Sequence, residues 1–145
     1  MLEINGQNGH GLTLLALAAK FGHAPLAKLL LNYECIEIDT QDVDGGTPLG
    51  QAAIWDQSAI LDLLAQDEGV RIHSRDKRGN TPLALATEEG HQSVVESLLI
   101  REAVDADARN NTLATPLALA AEQGHMRTVA LLLDRNDVEP NSIDN

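Results

Sequence analysis

Four threonines, Thr13, Thr47, Thr81 and Thr115, follow one another at a constant step of 34 residues. Leu15, Leu49, Leu83 and Leu117 keep that step, as do Ala18, Ala52, Ala86 and Ala120. A fixed period between about 20 and 50 residues marks a chain built by stacking one small supersecondary unit on the next. No other feature constrains the fold as strongly. A unit this short cannot bury its own apolar face, so its neighbours must cover it.

The clearest unit begins after a turn signal, Arg78-Gly79-Asn80, and continues as Thr81-Pro82-Leu83-Ala84-Leu85-Ala86 to Gly90-His91. Threonine before proline starts a helix: the hydroxyl caps free amides, and proline fits the first helical position. Gly90 closes it, since glycine adopts the left-handed conformation at little cost. A second helical run follows, carrying Val94, Val95, Leu98 and Leu99. A loop then passes through Val104 and Asp107 to Asn110. The same grammar recurs from Thr13, from Thr47 and from Thr115. Isolated helices shorter than about 12–15 residues are marginal in water, so these must be held by packing. Leu30, Leu64, Leu98 and Leu132 recur at the same step and predict a continuous apolar spine. The chain has one Trp, one Tyr and one Phe, so Leu and Ala carry the core, which suits thin, closely packed helices.

The pattern of Thr-Pro-Leu, helix, Gly-His, second helix and turn-bearing loop resembles the ankyrin repeat, and it recurs four times over essentially the whole chain. The resemblance implies an all-α fold: an ankyrin-repeat solenoid of stacked antiparallel helix pairs joined by turn or hairpin loops. It also implies a concave surface and loops projecting at about right angles to the stack. The 34-residue step and the run from Asp137 to Ser142 resemble the long arrays of filamentous fungi.

The expected organisation is a single array over residues 1–145. Residues 1–8 form the tail of a preceding repeat, and repeats follow at about 9–42, 43–76, 77–110 and 111–145. Leu2, Ile4, Asn5 and Asn8 fall in register with Ile36, Ile38, Asp39 and Asp42, and the chain closes at Asp144-Asn145 on the threshold of a further unit. Leu131, Leu132 and Leu133 appear in the last unit without a distinct polar cap. These features lead us to expect an excerpt from a longer array. Two departures from the repeat predict altered turns. Asp56-Gln57 stands where other units have Gly-His, and Leu113 stands where they have Gly11, Gly45 and Gly79. Leucine resists positive φ, so the fourth loop tip is expected to turn differently. Leu14 replaces the proline of the first unit, a small loss.

Charge narrows the function classes. The formal net charge is −12, which disfavours nucleic acid and anionic membrane surfaces and favours basic partner groups, besides keeping an elongated surface soluble. A single cysteine, Cys35, precludes an internal disulfide and fits a reducing compartment. No basic stretch followed by an apolar one opens the chain, and no apolar run approaches the roughly 18–20 residues that span a bilayer. An intracellular location, cytoplasmic or nuclear, is expected. His23, His91 and His125 lie one to three units apart, so about 10–30 Å, whereas Zn–N bonds span about 2 Å. Their expected role is capping and turn hydrogen bonding. The run from Asp42 to Gly46 fails as a calcium loop, because its twelfth position is Ala53 rather than glutamate. Nucleophile-elbow, phosphate-loop, Cys-x-x-Cys and His-Glu-x-x-His patterns are missing from the sequence. The expected protein is not an enzyme and needs no cofactor.

The resemblance implies recognition of another protein, or of another domain of the same chain, by the loop tips and the exposed face of each first helix, with the array itself a monomer. Carried over by position, the candidate contacts are Phe21, Ile54 and Trp55 as apolar anchors, Lys77 and Arg78 as a basic tip, and Glu88, Glu89 and Glu122 as an acidic strip. Phe21 and Trp55 occupy the same repeat position, so their rings are expected side by side. Exposed aromatics are frequent interaction hot spots. The competing role for either ring is packing between helices. Competing roles for the whole chain are a structural spacer or, with a pocket between units near Trp55, a small-molecule or enzymatic function.

Overall fold

The computed structural model describes residues 3–135 and 138, and among them are eight helices and no strand. The helices form four pairs: α1 (Leu14–Phe21) with α2 (Ala24–Leu31), α3 (Pro48–Ile54) with α4 (Ser58–Ala65), α5 (Pro82–Glu89) with α6 (Gln92–Leu99), and α7 (Pro116–Glu122) with α8 (Met126–Leu133). The first helices pack in series, α1 on α3, α3 on α5 and α5 on α7. The second helices form a parallel row of α2, α4, α6 and α8.

The threonines set the starting point of each pair. Each sits in extended backbone, and its hydroxyl accepts an amide hydrogen bond from three residues ahead: Ala16, Gly50, Ala84 and Ala118, at 3.2, 3.2, 3.3 and 3.2 Å. All four are buried, so each hydroxyl replaces water for an amide that the stack has dehydrated. The main core, apart from a small separate cluster of Ala84, Ala114 and Leu119, runs through all four pairs. Leu15, Leu49 and Leu83 fill it from the first helices, and Leu30, Leu64, Leu98 and Leu132 from the second. Alanines at 18, 52, 86 and 120 are fully buried and keep adjacent first helices close.

The loop tips repeat as faithfully. The side-chain oxygens of Asn8, Asp42, Asp76 and Asn110 each accept from the amides two and four residues ahead, at 2.8–3.0 Å. Backbone bonds then tie one tip to the next: Val43 N to His10 O at 3.1 Å, Lys77 N to Asp44 O at 2.9 Å and Asn111 N to Arg78 O at 2.9 Å.

Both expected turn anomalies are corrected by this geometry. Asp56 takes the left-handed conformation at φ 57, and Leu113 does so at φ 67. Their turns match the glycine versions: Gln57 N bonds Ala52 O at 2.9 Å, as His91 N bonds Ala86 O at 3.0 Å, and Leu113 N bonds Asn110 O at 3.0 Å, as Gly79 N bonds Asp76 O at 2.9 Å. The stack imposes the turn, and the side chain accepts a strain of about 1–2 kcal/mol. Leu2, Asp137, Asp144 and residues 139–142, which entered the reading of the chain ends, lie outside the described residues.

Candidate functional site

Positions at the C-terminal end of each first helix leave the stack. Phe21 is the last residue of α1, Trp55 caps α3, Glu89 ends α5, and Gln123 caps α7. Phe21 is 59% exposed and Trp55 49% exposed, so neither ring is spent as core. Between them stands an ammonium: Lys20 Nζ lies 5.5 Å from the Phe21 ring centre and 5.1 Å from that of Trp55. The rings therefore bracket a cation instead of stacking on each other, and the ring contact of Phe21 is with His23 at 6.4 Å. Trp55 is tethered on its other side. Its Nε1 donates to Gln51 Oε1 at 3.2 Å, and Gln51 Nε2 donates to Asp42 Oδ2 at 2.6 Å. Asp42 holds the loop tip, so the indole is linked through one glutamine to the turn that projects beside it. Against Lys20 opens a hollow of about 180 Å³, lined also by His10, Asp42, Val43, Asp44 and Gln51.

The other candidate residues are placed differently. Ile54 is half-buried and packs against the core, and its carbonyl accepts from His91 Nε2 at 2.8 Å. Arg78 and Glu88 are joined to each other at 2.8 Å, and this bond holds the guanidinium even more firmly protonated than usual, against a smaller opposing effect of burial. Lys77, Glu89 and Glu122 are exposed, Lys77 on a loop tip and the two glutamates at the ends of α5 and α7.

The histidines do a job that the sequence did not disclose. None caps its own helix. His91 instead reaches back to Ile54 O, and His125 to Glu88 O at 2.9 Å. A carbonyl only accepts, so Nε2 carries the proton in both rings. Each imidazole thereby fastens the end of the preceding first helix, immediately beside the exposed positions.

A second ladder runs through the loops that follow the second helices. Asn5 Nδ2 donates to Cys35 O at 2.7 Å, and His73 Nε2 bonds Ala103 O at 2.7 Å; both reach 30 residues ahead. Asp39 is the intervening rung. One carboxylate oxygen accepts from Arg71 N at 2.9 Å, as Asn5 accepts from Glu37 N. The other oxygen is buried without a partner, at the place where the equivalent side chains donate. Burial raises the Asp39 pKa above its ordinary value; the bond from Arg71 and the Arg71 charge oppose this, and Asp67 adds to it.

Among the described residues no cluster of three or more His, Cys, Asp or Glu is placed to hold a metal ion. No described helix is long and apolar enough to cross a membrane. A family model described as ankyrin repeats in three copies matches residues 1–76 and again residues 59–144. The chain belongs to the ankyrin-repeat family, whose members are generally protein–protein interaction modules. No curated protein matches it.

Proposed function

We propose that this chain is a non-enzymatic recognition module that holds a segment of another protein on the face made by its first helices and loop tips. Phe21 and Trp55 are the anchors, Lys77, Glu89 and Glu122 orient the ligand, and Ile54 supports Trp55 from beneath. Arg78 and Glu88 act as one neutral pair. The observation that carries this reading is the exposure of the two rings at one repeat position, with a single ammonium over both, while the spine leucines Leu30, Leu64, Leu98 and Leu132 are buried. An apolar ring left half in water by so regular a stack is surface available for contact, and it is held in place by Gln51.

The test is selection of displayed random peptides on the 145-residue chain, followed by binding to Trp55→Ala and Phe21→Ala. Selected ligands should lose about 30-fold or more in affinity for Trp55→Ala, the size of an interface hot spot. Ligands that bind both variants as tightly as the unaltered protein would place recognition elsewhere, leaving this face a spacer.

A further inference from the structure

We propose that the Phe21–Trp55 cleft is a cation site, that Lys20 occupies it in the free protein as a stand-in, and that the partner supplies an arginine or lysine side chain to the same place. This rests on the recognition reading of that face and specifies its chemistry. The first argument is geometric. Both ring faces converge on a single ammonium, 5.1 and 5.5 Å from the two centres, which is the separation at which a cation is held by ring quadrupoles. The cleft therefore already shows what fits it.

The second argument concerns how firmly Lys20 is held. Among the described residues it makes no ion pair. Lys20 is half-buried but its two rings are exposed. A cation–π contact at such open rings shifts a population by only about two- to fivefold, so a lysine on its flexible stem can swing out at that cost. A guanidinium would gain more from the vacated faces, because it is planar, stacks on aromatic rings and is weakly hydrated.

The third argument is charge. The chain carries −12 overall, Asp42 and Asp44 line the hollow against Lys20, and Glu89 and Glu122 stand exposed further along the same face. Arg78 does not offset them, being paired with Glu88, and exposed Lys77 at the neighbouring tip offsets only one of these carboxylates. This field attracts a basic segment and repels an acidic one. The competing ligand, a carboxylate paired with Lys20, must enter against it.

Trp55 is the only tryptophan, so its emission reports the cleft directly. The probes are two blocked peptides, one alternating leucine with arginine and one alternating leucine with glutamate. They are titrated into the unaltered chain, Lys20→Gln and Lys28→Gln, with far-UV circular dichroism showing that each variant is folded. Lys28 is exposed on α2, so its replacement removes the same charge away from the cleft. The arginine peptide should change Trp55 emission saturably, and Lys20→Gln should tighten it about two- to fivefold more than Lys28→Gln does, the worth of the displaced contact. Equal effects of the two substitutions would overturn the proposal. So would a silent Trp55, or preference for the glutamate peptide that disappears in Lys20→Gln. Display-selected ligands that still depend on Trp55 would then keep the recognition reading intact while removing its cationic chemistry.

Discussion

The first two units and the last two differ at the exposed ends of their first helices and agree at the buried Thr, Leu and Ala positions that set the repeat. Where α1 and α3 end in Lys20-Phe21 and Ile54-Trp55, α5 and α7 end in Glu88-Glu89 and Glu122-Gln123. One half presents two rings around an ammonium; the other presents carboxylates, one of them neutralised by Arg78. Yet Thr13 and Thr81, Leu15 and Leu83, Ala18 and Ala86 occupy equivalent, buried places in both halves. A stacked fold separates the two tasks by position. Residues between helices are fixed by the neighbour's shape, while residues at the helix ends are left to the ligand.

The largest expected effect tests the shared part. Leu49 and Leu83 are both essentially inaccessible, at 0% and 1% exposure, one in each half. Leu49→Ala and Leu83→Ala should each destabilise by about 2–5 kcal/mol, through lost transfer energy and an unfilled cavity. Urea unfolding followed by circular dichroism would measure this. A large loss for one and almost none for the other would break the claim that the halves share one scaffold.

Trp55→Ala tests the unshared part and should separate stability from binding. With the ring half exposed, unfolding free energy should fall by no more than about 1 kcal/mol, mainly the hydrogen bond to Gln51. Affinity for selected ligands should fall by about 2 kcal/mol or more. A stability loss as large as that of Leu49→Ala would mean the indole is packing after all.

Much of this division was legible in the sequence. The four-fold Thr and Leu periods stated where helices begin and which side is buried, because capping and helical spacing are local. The two turns are not legible for the opposite reason. At Asp56 and Leu113 local preference argued against positive φ, but the neighbouring tips at Lys77–Arg78 and the helix ahead over-determine the backbone. The role of His91 and His125 was hidden as well. Their partners lie 37 residues away, and nothing in a one-dimensional pattern names a carbonyl as an acceptor. Register alone singles out Phe21 and Trp55, whereas the cation over both rings and the pairing of Arg78 with Glu88 depend on side-chain placement that no spacing encodes.

Asp39 sharpens the comparison along the loop ladder. Asn5 and His73 donate to a carbonyl 30 residues ahead, whereas the carboxylate form of Asp39 has nothing to donate. Asp39→Asn supplies an amide and should stabilise the array by about 0.5–1.5 kcal/mol at pH 7, the usual net worth of one hydrogen bond. The pH dependence has a definite sign. A carboxyl whose folded pKa is raised favours the folded state below its unfolded pKa of about 4, and that contribution is lost as pH rises through the folded value. The advantage of asparagine should therefore be full above the raised folded-state pKa and shrink as pH falls through it toward about 4, where protonated Asp39 can itself donate. Thermal melts of both proteins across that range would show it; a gap that widens on acidification would refute the assignment.

The smallest effect lies in the acidic half. Arg78 and Glu88 are joined at 2.8 Å with the arginine 62% exposed, so the pair should contribute only about 0–1 kcal/mol to stability. Arg78→Gln should leave the melt nearly unchanged in 0.15 M salt. Its consequence should appear in association, because Glu88 is then uncompensated and adds to Glu89 and Glu122. Arginine-bearing peptides should bind Arg78→Gln somewhat faster at low ionic strength, with the difference fading as salt shortens the screening length to about 8 Å. Stopped-flow association at two salt concentrations would measure this. A salt-independent difference would show that Arg78 touches the ligand itself, which would move the recognition surface from the aromatic half toward the charged one.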